Sequence, residues 1–270
     1  MLIFKNIIPF SLEQTFDCGQ CFRWDVQEDG SYIGFVGKHI AKINYINGDI
    51  VIDSNCEDEL FWKSYLDIDR DYLQIINDLS ADDIMKNAIS YGEGIRLLKQ
   101  DPWETVVSFI ISQNNNIPRI KKIIGLLCEN FGDKVTFNGE TYYSFPTPEQ
   151  IYNKDLSVIR AGFRDKYILS AASMVVEGII DFNLVYNMDY DTALEYLKQI
   201  KGVGNKVADC VILFAFQKFE SFPKDVWIKR TMSQLYNVAE EEIEIFAKQK
   251  FKGNCGFAQQ YLFYSARQDI

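Results

Sequence analysis

No stretch of this chain is apolar for long. The longest unbroken run, Cys210 to Phe216, falls far short of the ~20 residues a membrane helix needs. Near the start Lys5 interrupts the apolar residues and no small-residue cleavage site follows, so no secretory signal is read there. Cysteine pairing is equally sparse. Of six cysteines only Cys18 and Cys21 form a C-x-x-C pair, and no second pair exists to complete a zinc site. Their scatter suits free thiols in a reducing compartment, packed as small hydrophobes. Internal repeats and low-complexity tracts are lacking too. At 47% hydrophobic and 14% aromatic the chain is neither disordered nor collagen-like. Its 270 residues are enough for one large or two ordinary domains. The expectation is an intracellular protein with no membrane contact.

Positive charge is also in short supply: 28 basic residues face 38 acidic ones, a net of −10. A nucleic-acid binder usually carries a basic face, so the total argues against one. The total hides a gradient, however. Residues 1–100 carry a net of −8, residues 101–200 a net of −4, and residues 201–270 a net of +2. Within 198–230 the net is +4. A polyanion partner would have to meet the later part.

Residues 32–52 alternate and are rich in strand formers, with Asn47-Gly48 as a hairpin signal between two runs. The first ~75 residues thus read as antiparallel sheet with some helix. From Tyr65 onward the spacing is helical, as in Tyr72, Ile75, Ile76 and Leu79, or Val106, Phe109 and Ile110. Residues 137–148 read as a loop or short hairpin, and 149–270 as helices. The predicted organisation is α+β: a β-rich unit over 1–99, then a helical unit over 100–270.

The stretch LEYLKQIKGVGNKVADCVILFAF, residues 194–216, carries the chemistry. Two helix faces flank Gly202-Val203-Gly204, predicting a helix-hairpin-helix over about 193–218. Glycines there permit left-handed backbone and close approach, and the second helix starts with free N–H groups that suit an anion. The hairpin is either a phosphate grip or a plain turn between helices. Lys206 lies in the first turn of the second helix, with Cys210 four residues on along the same face. It is either a solvated lysine touching phosphate or a nucleophilic amine, since a partly buried lysine at a positive helix end has reason to shed its proton. Asp225, in Phe222-Pro223-Lys224-Asp225-Val226-Trp227, is placed to cap the next helix.

The order of the blocks CGQCFRW (18–24), DPWETVVSFIISQNNNIPRI (101–120), AGFRDKYI (161–168), GVGNKVADC (202–210), PKDV (223–226) and GFAQQYLF (256–263) resembles the helix-hairpin-helix/Gly-Pro-Asp DNA glycosylases. Within them it is similar to the 8-oxoguanine DNA glycosylase/lyases, and the likeness covers nearly the whole chain. The resemblance implies an N-terminal sheet like that of the TATA-binding protein ahead of the helical glycosylase unit. It implies excision of 8-oxoguanine, and of formamidopyrimidine guanine, from double-stranded DNA opposite cytosine, by a monomer. In a prokaryote the enzyme would work in the cytoplasm or nucleoid, in a eukaryote in the nucleus.

By the same resemblance Lys206 matches the lysine that forms a Schiff base at C1′ before β-elimination, and Asp225 the essential aspartate. Gly19 matches the glycine whose carbonyl accepts the N7–H of 8-oxoguanine. Cys210 and Phe263 match the residues that sandwich the extruded base, and Gln259 the one facing its Watson–Crick edge. Asn114, Arg119 and Arg164 match those that meet the orphaned cytosine, and Phe163 the wedge. Trp227 stands where many relatives have histidine. The acidic residue expected just after Phe263 is missing, since Tyr264, Ser265, Ala266 and Arg267 follow, which puts phosphate contact near Trp227 in doubt. Only Cys255 follows the aspartate, so no iron–sulfur cluster and no catalytic metal are expected. The hairpin carbonyls can hold a monovalent or calcium ion. Few basic contacts would mean a modest salt dependence. A non-catalytic helix-hairpin-helix module and a monofunctional alkylbase or mismatch glycosylase are the alternatives.

Overall fold

The computed structural model describes residues 1–268. Strands β1 (Leu2–Phe4), β2 (Trp24–Val26), β3 (Tyr32–Val36), β4 (His39–Ile46) and β5 (Asp49–Ser54) form one antiparallel sheet in the order β1-β5-β4-β3-β2. Asn47 and Gly48 close the β4–β5 hairpin with φ of 53° and 90°. Positive φ at both central residues is what a two-residue hairpin turn demands. Helix α1 (Leu12–Phe16) sits between β1 and β2. Helices then begin at α2 (Glu59–Tyr65), somewhat before the change of period at Tyr65, and continue with α3 (Tyr72–Leu79) and α4 (Asp83–Gly92).

The rest is helical: α5 (Pro102–Ser112), α6 (Ile117–Phe131), α7 (Pro148–Ile151), α8 (Arg164–Val176), α9 (Phe182–Val185), α10 (Tyr190–Leu197), α11 (Asn205–Phe216), α12 (Val226–Tyr236), α13 (Ile243–Phe251) and α14 (Cys255–Ala266). One hairpin interrupts it, β6 (Lys134–Phe137) with β7 (Glu140–Tyr143), turning at Asn138-Gly139 and starting three residues ahead of the stretch read as loop or hairpin. No helix among the described residues is long and apolar enough to cross a membrane.

Much of the acidic excess serves helix starts. Asp58, Asp71, Asp82, Asp101, Asp181, Asp189 and Asp225 are N-caps whose carboxylates accept backbone N–H groups of the first turn. Each such cap contributes roughly 1 kcal/mol and complements the helix dipole. Helix α11 differs, since its cap is Gly204 and no side chain bonds its first turn.

Two large cores divide the described residues, and a small cluster of Phe35, Ile40 and Phe137 joins the sheet to the β6–β7 hairpin. The smaller of the two cores packs Phe16, Trp24, Ile43, Ile52, Trp62 and Leu66 beneath the sheet. The larger runs through α5, α6, α8, α10, α11 and α14. Core membership cuts across residue 100: Tyr72, Leu79, Met85, Ile89 and Leu97 belong to the larger core, and so do Cys18 and Phe22. Thus the segment leading into β2 leaves the sheet and inserts one edge into the helical unit.

Candidate active site

The hairpin between α10 and α11 is tight for two separate reasons. Gly202 has φ of +90°, and a Cβ there would sit 2.5 Å from Cγ of Tyr167. Only glycine meets both demands. Val203 is buried beneath the turn, and Gln113 Nε2 donates to the Gly202 carbonyl at 3.1 Å, tying the hairpin to the end of α5. Gly204 is extended and open on its outer side. The first-turn amides of α11 therefore face outward without a capping side chain, in the geometry that binds anions.

Lys206 stands at the second position of α11, partly buried. Its Nζ donates to Ser112 Oγ at 3.4 Å and lies 5.0 Å from the centroid of the Phe109 ring. Asp225 caps α12 by accepting from Ile228 N at 2.8 Å. Burial raises its carboxyl above the ordinary aspartate range, while its cap bond and the Lys206 charge pull the other way. Both side chains border one cleft, together with Gly19, Phe109, Cys210, Gln259 and Phe263. The Cys210 thiol is pushed up to about 12 by burial, so it is a neutral, polarisable surface at working pH. Gln259 is 5% exposed, and its Oε1 is buried with no hydrogen-bond partner. A buried acceptor without a donor is costly, and a ligand offering N–H would relieve it. Gly19 has φ of +86°, and a Cβ added there would come within 3.1 Å of the Phe263 ring. A side chain at position 19 would fill the end of the cleft.

The other predicted residues lie apart from this cleft. Asn114 has φ of 47° and is exposed in the turn between α5 and α6. Arg119 is exposed in the first turn of α6, and Phe163, 54% exposed, leads into α8. Arg164 departs from the pattern because it is buried and its guanidinium is already committed. Nη1 donates to Ala161 O and Nε to Gln113 O, both at 3.1 Å, and Nη2 to the carbonyls of Gln113 and Asn114. Three lysines are likewise engaged: Lys121 with Asp25, Lys224 with Glu244, and Lys229 with Glu240. Among the described residues no three His, Cys, Asp or Glu side chains gather as a metal site.

Residues 2–106 match the N-terminal domain of 8-oxoguanine DNA glycosylase, and residues 107–255 match the HhH-GPD superfamily of base excision DNA repair proteins. A solved structure of the Clostridium acetobutylicum 8-oxoguanine glycosylase/lyase, in complex with double-stranded DNA containing cytosine opposite 8-oxoG, is 41% identical with a TM-score of 0.95. The match covers 99% of this chain and 95% of that one. This chain belongs to the 8-oxoguanine DNA glycosylase family. A relative from Methanothermobacter thermautotrophicus is 34% identical over 201 residues, 65% of this chain and 64% of its own length. The N-glycosylase/DNA lyase of Saccharomyces cerevisiae is 36% identical over 162 residues, 54% of this chain and 43% of its own. The match therefore spans less than two thirds of the length of these two relatives.

Several parts of this glycosylase-family site have no local signature. Ser112 and Phe109 touch Lys206 from nearly a hundred positions away. Asp209, beside Cys210, accepts from Tyr190 Oη at 2.6 Å and from Ser221 Oγ at 3.0 Å. That network links α10, α11 and the segment before Asp225. Polar residues at buried positions of an apolar helix were the available signal, and Asp209 between Ala208 and Cys210 is one.

Proposed function

We propose that this chain is an 8-oxoguanine N-glycosylase/DNA lyase acting on double-stranded DNA with the lesion opposite cytosine. The observation that carries this is one cleft bordered by an amine, a carboxylate and an unpartnered amide oxygen. A purine reaches such a cleft only when it is turned out of the stack. In this reading Lys206 Nζ attacks C1′ and the glycosidic bond breaks, its electron pair leaving with the base, which takes up a proton. The amine loses its protons as the ring-opened sugar forms an imine. The imine draws electrons when C2′ loses a proton, and the 3′ phosphate departs by β-elimination. Asp225 stabilises the cationic sugar as the base leaves.

Recognition divides among the remaining residues. The N-terminal unit, which we place at 1–99, supplies the Gly19 carbonyl for N7–H, a hydrogen that guanine lacks. Cys210 and Phe263 flank the base, and Gln259 Oε1 accepts from the N–H donors of its Watson–Crick edge. Phe163 props open the stack, Asn114 and Arg119 meet the cytosine, and Arg164 joins them on release from its carbonyl partners. The amides of the Gly202-Val203-Gly204 turn and of the first turn of α11 take a phosphate. Such an enzyme works wherever the cell keeps its DNA.

Borohydride reduction in the presence of 8-oxoguanine duplex tests the assignment. The wild-type chain should be trapped covalently, and Lys206→Gln should lose both trapping and base release by at least about a thousandfold. Base release without any trapping would instead mark a monofunctional glycosylase, and lesion binding without release a non-catalytic module.

A further inference from the structure

The segment that brings Gly19 to the cleft presents four successive carbonyls, and three of them are taken. Arg267 Nη1 donates to Asp17 O at 3.4 Å, Gln260 Nε2 to Cys18 O at 2.9 Å, and Gln100 Nε2 to Gln20 O at 2.7 Å. The carbonyl of Gly19 accepts from none of the described residues. The side chain of Gln20 is tied down as well, donating to Thr15 O at 2.8 Å and Arg96 O at 2.7 Å and accepting from Leu98 N at 2.9 Å. Backbone carbonyls inside a fold are nearly always paired, so the unpaired one on the partly buried Gly19, amid paired neighbours and at the edge of the cleft, is free to face a ligand.

Two of the three donors belong to the end of the chain. Gln260 is 2% exposed in α14, next to Gln259, and Arg267 follows the same helix with its guanidinium 5.5 Å from the Phe263 ring centroid. Their separations from the carbonyls they hold are 242 and 250 residues. Thus α14 lines the cleft with Gln259 and Phe263 and fixes the opposite wall with Gln260 and Arg267. Removing the Gln260 amide would leave the Cys18 carbonyl buried and unpaired and free the peptide next to Gly19 to rotate.

We propose that Gln260, assisted by Arg267, is a positioning residue: by occupying the carbonyls before Gly19 it leaves the Gly19 carbonyl as the one acceptor that this segment offers to the base, and so sets selectivity for a purine that carries hydrogen on N7. This rests on the function proposed above. An acceptor has to be held in place when one hydrogen bond separates the lesion from its undamaged counterpart. A loosened segment would accept poorly from the N7–H of the lesion and discriminate little.

The test compares two substrates on the whole chain under single-turnover conditions: 8-oxoguanine opposite cytosine, and the same duplex with a preformed abasic site, which needs no base recognition. Gln260→Met keeps the length and apolar volume and removes the donor. Its ratio of base release to abasic nicking should fall about tenfold, the size expected for one unsatisfied buried carbonyl. The Arg267→Gln ratio should fall about threefold, since its bond is longer and half-exposed. An unchanged ratio in Gln260→Met, or an equal loss of both activities, would overturn the proposal. If that variant lacks a cooperative melt, Arg267→Gln decides it by the same ratio. Failure of the underlying function appears elsewhere, as a wild-type chain that nicks abasic DNA yet releases no 8-oxoguanine.

Discussion

The two sides of the candidate site are built differently. On the cleft side, Cys210 and Gln259 are buried, Gly19 is hemmed in by Phe263, and the backbone around it is wired to residues far along the chain. On the opposing rim, Asn114, Arg119 and Phe163 are exposed at helix ends, and only Arg164 is buried. The difference matches the tasks proposed for the two sides. Telling two purines apart by one hydrogen needs an acceptor already in place, because any freedom left in it is lost discrimination. Entering a stacked duplex needs apolar surface presented outward, where it can slide between bases without prior fit.

The sharpest way to break this division is to disable chemistry while leaving both surfaces intact. Asp225→Asn keeps a good helix cap, so the melting temperature should move little. Excision should nevertheless fall by about a hundredfold or more. Burial raises the Asp225 carboxyl, so the wild-type rate should fall as pH drops through a value above the usual ~4, and the asparagine variant should lack that acid limb. Excision by Asp225→Asn at near the wild-type rate would end the catalytic assignment. A milder cut falls on the rim. Phe163→Ala removes a ring that is 54% exposed, so stability should stay within about 0.5 kcal/mol. Base release from duplex should drop about tenfold, and nicking of an abasic site much less. Equal losses on both substrates would show that the ring does something other than open the stack.

The smallest effect lies behind both sides. Glu104 faces Arg23 at 3.4 Å where the sheet unit meets α5, and burial pushes its carboxyl up to about 7. A folded-state value above the unfolded one means that its stabilising contribution is present at low pH and lost as pH rises through 7. Melting temperature followed from pH 5 to 8 should therefore decline less in Glu104→Gln than in the wild type, by about 2–4 °C. Parallel curves would exclude Glu104 as the titrating group.

These contrasts also explain what could be read from the amino acids alone. Asn47-Gly48 specifies its hairpin because the turn demands positive φ, and the 3.6-residue spacing of Tyr72, Ile75 and Leu79 specifies a buried helix face. The glycine hairpin, the Asp225 cap and the shared face of Lys206 and Cys210 are legible for the same local reasons. Gln20, Gln100 and Gln260 are not. A glutamine gives no sign of burial, and their long-range bonds span 76 to 242 positions. Nor does the pattern around Arg164 tell that its guanidinium closes on the turn at 113–114. The net charge misleads for a related reason. Aspartates that close helix starts, and glutamates that pair with Lys224 and Lys229, are counted as excess although their charge is spoken for.

Helix α11 stands outside that economy, as do α8, α13 and α14. With Gly204 at its start, α11 carries amides that no side chain satisfies, at the helix that bears Lys206. In equilibrium terms an anion that completes the turn would raise the stability of the fold as it binds, and in the proposed reading a DNA phosphate is that anion. In that reading folding and substrate capture draw on the same bonds, so the chain should be most rigid at the moment the Lys206 amine is brought to the sugar.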